Sequence, residues 1–96
     1  MTLDSLDAVR ARIDELDASI IALIAQRQAA VVRAGELKPS GDAAAVRAPA
    51  RVEQVVAKAR ARATESGASP DVVEQTYRAM IGAFIDLEHG VNSAER

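Results

Sequence analysis

A run of helix-forming residues from about Ser5 to Leu37 constrains this chain more than any other feature. Apolar residues recur at Leu6, Val9, Ile13, Leu16, Ile20, Leu23 or Ile24, Val31 and Ala34, the three-four spacing of one helix face. Ser5 reads as the N-cap, and Asp7 falls in the first turn, where the helix dipole favours a carboxylate. Pro39 ends the run, because the residue before a proline is pushed out of helical geometry. Roughly 33 helical residues span about 50 Å. A compact chain of this size has a radius of gyration of only about 12–13 Å. The predicted helix therefore outreaches a globule built from its own chain, and its apolar stripe needs a cover. A second copy is the simplest one, as an antiparallel, twofold-symmetric pair of long helices. A monomeric hairpin with a bent first helix is the alternative.

Two shorter helices follow, and no convincing strand. Pro39, Ser40, Gly41 and Asp42 form a turn-rich connection that continues through Ala43 to Arg47. The second helix begins at Pro49, a favoured first-turn residue, and runs to about Ser66, with Gly67 closing it in left-handed geometry. The third opens on Ser69 as N-cap, Pro70 and Asp71. Its apolar positions are Val73, Tyr77, Met80, Phe84, Leu87 and Val91, with Thr76 among them; the polar tail from Asn92 to Arg96 is expected to fray. The expectation is an all-α fold, three helices per chain (one long, two shorter), in a single domain over residues 1–96 that pairs as an intertwined homodimer.

Composition narrows the function classes. Twelve basic against fourteen acidic residues give a formal charge of −2, which argues against a nucleic-acid binder. The chain has no cysteine, so neither a disulfide framework nor a cysteine zinc site is available. The acidic N-terminus (Asp4, Asp7) lacks the pattern of a signal peptide, and no apolar run approaches bilayer-spanning length. A soluble cytoplasmic protein is the resulting expectation. Most of the apolar weight is Ala and Val, and Tyr77 and Phe84 supply the aromatics. Such a chain buries little area per residue and gains from a partner chain.

Two cations sit where the first helix calls for apolar residues. With Ile20 as the centre of the stripe and 100° per residue, Ile13, Val31 and Val9 fall within about 20°. Arg27 also falls within about 20°, and Lys38 projects onto the centre itself. Arg12 and Arg33 point away, and Arg10 lies on the flank. A cation on an apolar face is costly unless an anion meets it. Arg27 and Lys38 must snorkel to the surface, pair with carboxylates of the protein, or receive an anionic ligand.

The order of these motifs resembles the all-helical (AroQ-class) chorismate mutases along nearly the whole chain. Val9-Arg10-Ala11-Arg12-Ile13-Asp14-Glu15-Leu16-Asp17 is similar to that family's opening L-R-x-x-I-D-x-L-D pattern. Ile21-Ala22-Leu23-Ile24-Ala25-Gln26-Arg27 is similar to its L-L-x-L-L-x-x-R, and Lys38 and then Arg51 follow in family order. The resemblance implies an isomerase whose reaction needs neither metal nor cofactor: a homodimer with two pockets for a chorismate-like dicarboxylate. In each pocket Arg27, Lys38 and Arg51 come from one chain and Arg10 from the other. It further implies that Arg10 and Arg27 hold the substrate carboxylates through paired guanidinium hydrogen bonds. Lys38 would meet one carboxylate and the ether oxygen of the breaking C–O bond.

Three positions depart from the commonest pattern of the family. Val52 stands where many members carry Glu, Ala48 where an acidic residue is frequent, and Glu88 where many have Gln. Residues 45–52, Ala-Val-Arg-Ala-Pro-Ala-Arg-Val, are closer to a subgroup acting on relatives of chorismate, isochorismate-pyruvate lyases and aminodeoxychorismate mutases. Glu88 resembles some fungal mutases instead, and it can donate to the ether oxygen only when protonated. The expected catalytic residues are thus Lys38, Glu88 and Arg27, and the substrate-binding set is Arg10, Arg27, Lys38, Arg51, Val52 and Phe84. Tyr77 and Phe84 also fit core packing, and His89 and the cations Lys58, Arg60 and Arg62 fit solvated surface. Pro39–Arg47 reads as a lid with Lys38 at its hinge. A catalytically inactive helical dimer that serves as an interaction module is the reading from another class.

Overall fold

The computed structural model describes residues 3–94, and among them all regular secondary structure is helical. The elements are α1 (Leu6–Leu37), α2 (Ala43–Arg47), α3 (Pro49–Ser66) and α4 (Pro70–Ser93). The three long helices are those expected; α2 is a short helix inside the connection. The chain divides into two units, Met1–Ala30 and Val31–Arg96, and α1 contributes to both.

The first unit is the N-terminal part of α1. Ser5 caps it as its sequence position predicts: the Ala8 amide donates to Ser5 Oγ at 3.0 Å and the Val9 amide to the Ser5 carbonyl at 3.0 Å. Leu6, Ile13, Leu16 and Ile20 lie on one face of this helix and are between 44 and 61 % exposed.

The second unit holds the end of α1 with α2, α3 and α4. Its core is Val46 from α2, Val56, Ala59 and Ala63 from α3, and Ile81 and Phe84 from α4. The four-residue spacing of Ala59 and Ala63 puts two small residues on one face, which lets α3 and α4 approach closely. Gly67 (φ 79°) turns the chain out of α3, and the Ala68 amide closes the end on the Ala63 carbonyl at 2.8 Å. Ser69 Oγ then accepts from the Val72 amide at 3.2 Å and starts α4. Between α2 and α3, Ala48 has φ 34° and ψ 62°, an unusual place for a residue with a Cβ. Pro49 disfavours right-handed geometry at Ala48, and the left-handed turn lets two helices follow one another with a single residue between them.

Ion pairs stitch α3 to α4 on the solvent side. Arg78 donates from both terminal nitrogens to the two Glu53 oxygens at 2.9 Å, and from Nε to Glu74 at 2.7 Å. Arg60 donates to Asp71 at 3.0 Å and Glu74 at 2.9 Å, so this cation is engaged in a network, whereas Lys58 and Arg62 are exposed as expected. Hydrogen bonds from Arg78 hold the Glu53 and Glu74 carboxyls below the usual range, with Arg60 adding to the effect at Glu74. A carboxyl lowered in the folded state stabilises above its unfolded pKa, and the gain is lost as the pH falls through the folded value. Arg78→Ala should therefore lower Tm at pH 7 relative to wild type. In thermal melts followed by circular dichroism, the difference should shrink as acid protonates Glu53 and Glu74.

Candidate functional site

In the second unit α1 ends against α4, and two side chains expected to be functional meet there. Lys38 Nζ donates to Glu88 Oε2 at 2.5 Å. The Glu88 side chain is 8 % exposed and that of Lys38 28 %, so the contact is largely withdrawn from water. Among the three fates open to a cation on the stripe, Lys38 pairs with a carboxylate of its own chain. Glu88 is a buried group of α4. A desolvated carboxylate beside an ammonium is stabilised by direct attraction, and removing either partner leaves the other poorly solvated.

Gly35 makes this approach possible. A Cβ built there would lie 3.0 Å from Glu88 Cγ and 3.4 Å from Val91 Cγ1. Glycine inside a helix costs about 1 kcal/mol relative to alanine, and here its bare backbone lets the Glu88 stem lie against α1. An isolated glycine near the end of a helical pattern was the available sequence signal.

Asn92 was expected to belong to a fraying tail, and the structure corrects this. It lies within α4 and is 1 % exposed. Its Nδ2 donates to the carbonyls of Gly35 and Pro39, each at 3.0 Å, with the Lys38 carbonyl at 3.5 Å. Its own backbone carbonyl accepts from the Gly41 amide and from Ser40 Oγ, both at 3.2 Å. Of the remaining tail, Ser93 closes α4 and Ala94 caps it, while residues 95–96 lie outside the described residues. These bonds also bear on the expected lid. The 39–47 connection is bonded to α4 through Asn92, Asp42 caps α2 by accepting from the Ala45 amide at 3.0 Å, and Val46 is buried.

The other expected site residues are distributed between the units. Arg10, exposed, and Arg27, half-buried, stand on α1 in the first unit. Arg51 is exposed and Val52 half-buried in the first turns of α3, and Arg47 is exposed at the end of α2. Phe84 is 9 % exposed and belongs to the core of the second unit; Tyr77 is half-buried. His89, expected to be exposed, is half-buried. A recess on the second unit is lined by Arg60, Asp71, Glu74, Gln75 and Arg78. Its charged groups already satisfy one another, which leaves it ill suited to a dianion. No described helix is long and apolar enough to cross a membrane.

The family described as chorismate mutase type II matches over residues 9–89. No curated protein and no solved structure matches the chain.

Proposed function

Since the chain belongs to the type II chorismate mutase family, we propose that it rearranges chorismate to prephenate, in a pocket that uses Lys38 and Glu88. The pairing of Lys38 with Glu88 on the α1–α4 contact is the observation that carries this reading. It brings a cation and a carboxyl together, and both residues stand at positions the family resemblance assigns to the ether oxygen.

The reaction is a one-step pericyclic rearrangement, so no nucleophile or proton transfer is needed. The protein accelerates it by holding the enolpyruvyl arm over the ring in a reactive conformer. It also supplies positive charge and donors where the ether oxygen gains negative charge. Arg10 and Arg27 hold the two carboxylates by guanidinium forks, and Arg51 adds positive charge. Lys38 leaves Glu88 for the substrate, where its contact strengthens as the C–O bond breaks, so it acts mainly on turnover. Val52, an apolar residue, contacts the ring; Phe84 backs the pocket from the core.

A second copy of the chain completes the assembly in this reading. The row Leu6, Ile13, Leu16 and Ile20 is the face it covers, and Arg10 on that helix is the residue it contributes to the facing pocket. Aromatic amino-acid biosynthesis or a related secondary pathway in the cytoplasm is the setting proposed for the activity.

Glu88→Gln tests the donor. In the free protein the Glu88 carboxylate accepts from Lys38. An ether oxygen that is gaining negative charge is helped by a donor, and an amide always has one to give. Glu88→Gln should therefore keep or raise kcat for chorismate, whereas Glu88→Ala should lower it; a Gln variant as impaired as the Ala variant would remove Glu88 from this role.

Product identification separates the activities open to this scaffold. The purified chain, incubated separately with chorismate, isochorismate and aminodeoxychorismate, should yield prephenate from the first. Salicylate and pyruvate from isochorismate, or rearranged aminodeoxychorismate alone, would transfer the function to the subgroup that residues 45–52 resemble. Inertness toward all three would favour an interaction module.

A further inference from the structure

The end of α1 carries a hydrogen-bonding defect that another helix repairs. In an uninterrupted helix the Gly35 carbonyl accepts from the amide four residues on, but that residue is Pro39, which has no N–H. The preceding bond, Lys38 amide to Ala34 carbonyl at 3.2 Å, is still made. Gly35 is buried, so its carbonyl has little water to turn to. Asn92 Nδ2 supplies the missing donor at 3.0 Å and shares its protons with the Pro39 carbonyl at 3.0 Å. The two bonds bracket Lys38 on either side. Asn92 stands one turn after Glu88 on α4, hence on the same face. That face therefore holds Lys38 twice, by its ammonium through Glu88 and by its backbone through Asn92.

We propose that Asn92 is a positioning residue for Lys38: it caps α1 from outside the helix and fixes the point from which the lysine reaches the reacting oxygen. The inference rests on the mutase reading for its effect on turnover; its effect on Lys38 itself is independent of that reading. Asn92 touches no substrate. It acts through the backbone at Gly35 and Pro39, and a shift there moves the Lys38 Cα and so the reach of its ammonium. Misplacement of a transition-state contact lowers kcat more than it raises KM.

Two readouts test this, one of them without substrate. Lys38 and Lys58 are the lysines of the chain, and Lys58 is exposed, so it serves as an internal reference for amine labelling. With limiting acetylating reagent and mass spectrometry, Lys38 of the folded wild type should react several-fold more slowly than Lys58. In Asn92→Ala that gap should close while helicity by circular dichroism is retained. Chorismate turnover should lose about tenfold in kcat with KM changed by less than about threefold. In a Lys38→Ala background the same substitution should change kcat by less than about twofold, because the group it positions is gone. Asn92→Leu, which fills the space without a donor, replaces Asn92→Ala in all these measurements if the alanine variant does not fold.

An unchanged labelling ratio in a folded variant would overturn the proposal. So would an equal fold-loss of kcat in both backgrounds, which would mark Asn92 as a general structural residue. If the wild type turns over no chorismate, the mutase reading fails separately, and the labelling ratio alone decides whether Asn92 holds Lys38.

Discussion

Lys38→Ala should lower kcat for chorismate by about two to three orders of magnitude, the usual effect of removing one donor from a developing oxyanion. The loss follows from place and chemistry. A rearrangement without covalent or acid–base steps offers few points of leverage, and the ether oxygen is where charge appears. Arg27→Ala should differ in kind: on the proposed reading Arg27 anchors a carboxylate in ground and transition states alike, so its loss should raise KM with a smaller change in kcat. Lys38→Ala also has a cost in stability. The Glu88 side chain, 8 % exposed, loses its counter-charge. Breaking a well-buried pair costs about 3–5 kcal/mol, and the partial exposure of Lys38 reduces this to roughly 1–2. Adding Glu88→Gln to Lys38→Ala should therefore recover much of the lost Tm without restoring turnover. That dissociation of stability from rate separates a catalytic lysine from a structural one, and its absence would mean that the pair serves only the fold.

The second large effect concerns the bare face of α1. Covering a half-exposed Leu or Ile is worth roughly 1 kcal/mol, so Leu6, Ile13, Leu16 and Ile20 from two chains supply about 8. That lies within the range of the entropic cost of association, and further contacts along two long helices would add to it. Ile20→Glu places a charge at the centre of the stripe and, through the twofold axis, introduces two of them into one interface. Sedimentation of wild type at micromolar concentration should give a dimer, and Ile20→Glu a monomer with reduced helicity and no turnover. A variant that sediments and turns over chorismate as wild type does would show that this face is not the interface.

Much of the fold is legible in the sequence because its signals are local. Ser5, Pro49, Gly67, Ser69 and Pro70 each act within a turn or two of where they stand, and each does what its type predicts. Lys38 and Arg27 stand out because a charge on an apolar stripe breaks a period that is itself local. What periodicity does not reveal is the partner. Glu88 is 50 residues from Lys38, and Asn92 is 57 from Gly35. Pro39 announces that a carbonyl one turn earlier lacks its donor, yet nothing nearby says that a residue near the other end of the chain supplies it. Asn92 reads as tail because a polar residue after the last apolar position ordinarily meets water; burial and its hydrogen bonds with Gly35, Pro39, Ser40 and Gly41 reverse that. Ala48 is a similar case. Its proline neighbour signals a break, but alanine carries no hint of left-handed geometry.

The proposed pocket rearranges chorismate and draws Lys38 from one chain and Arg10 from the other. Mixing tests it most directly. Arg10→Ala and Lys38→Ala chains, each nearly inactive alone, are combined in equal amounts, allowed to exchange subunits, and assayed for loss of chorismate. Half of the dimers are then mixed, and each mixed dimer holds one intact pocket and one doubly defective one. The rate should recover to about one quarter of wild type per chain. A mixture no more active than the sum of its two parents would contradict the account.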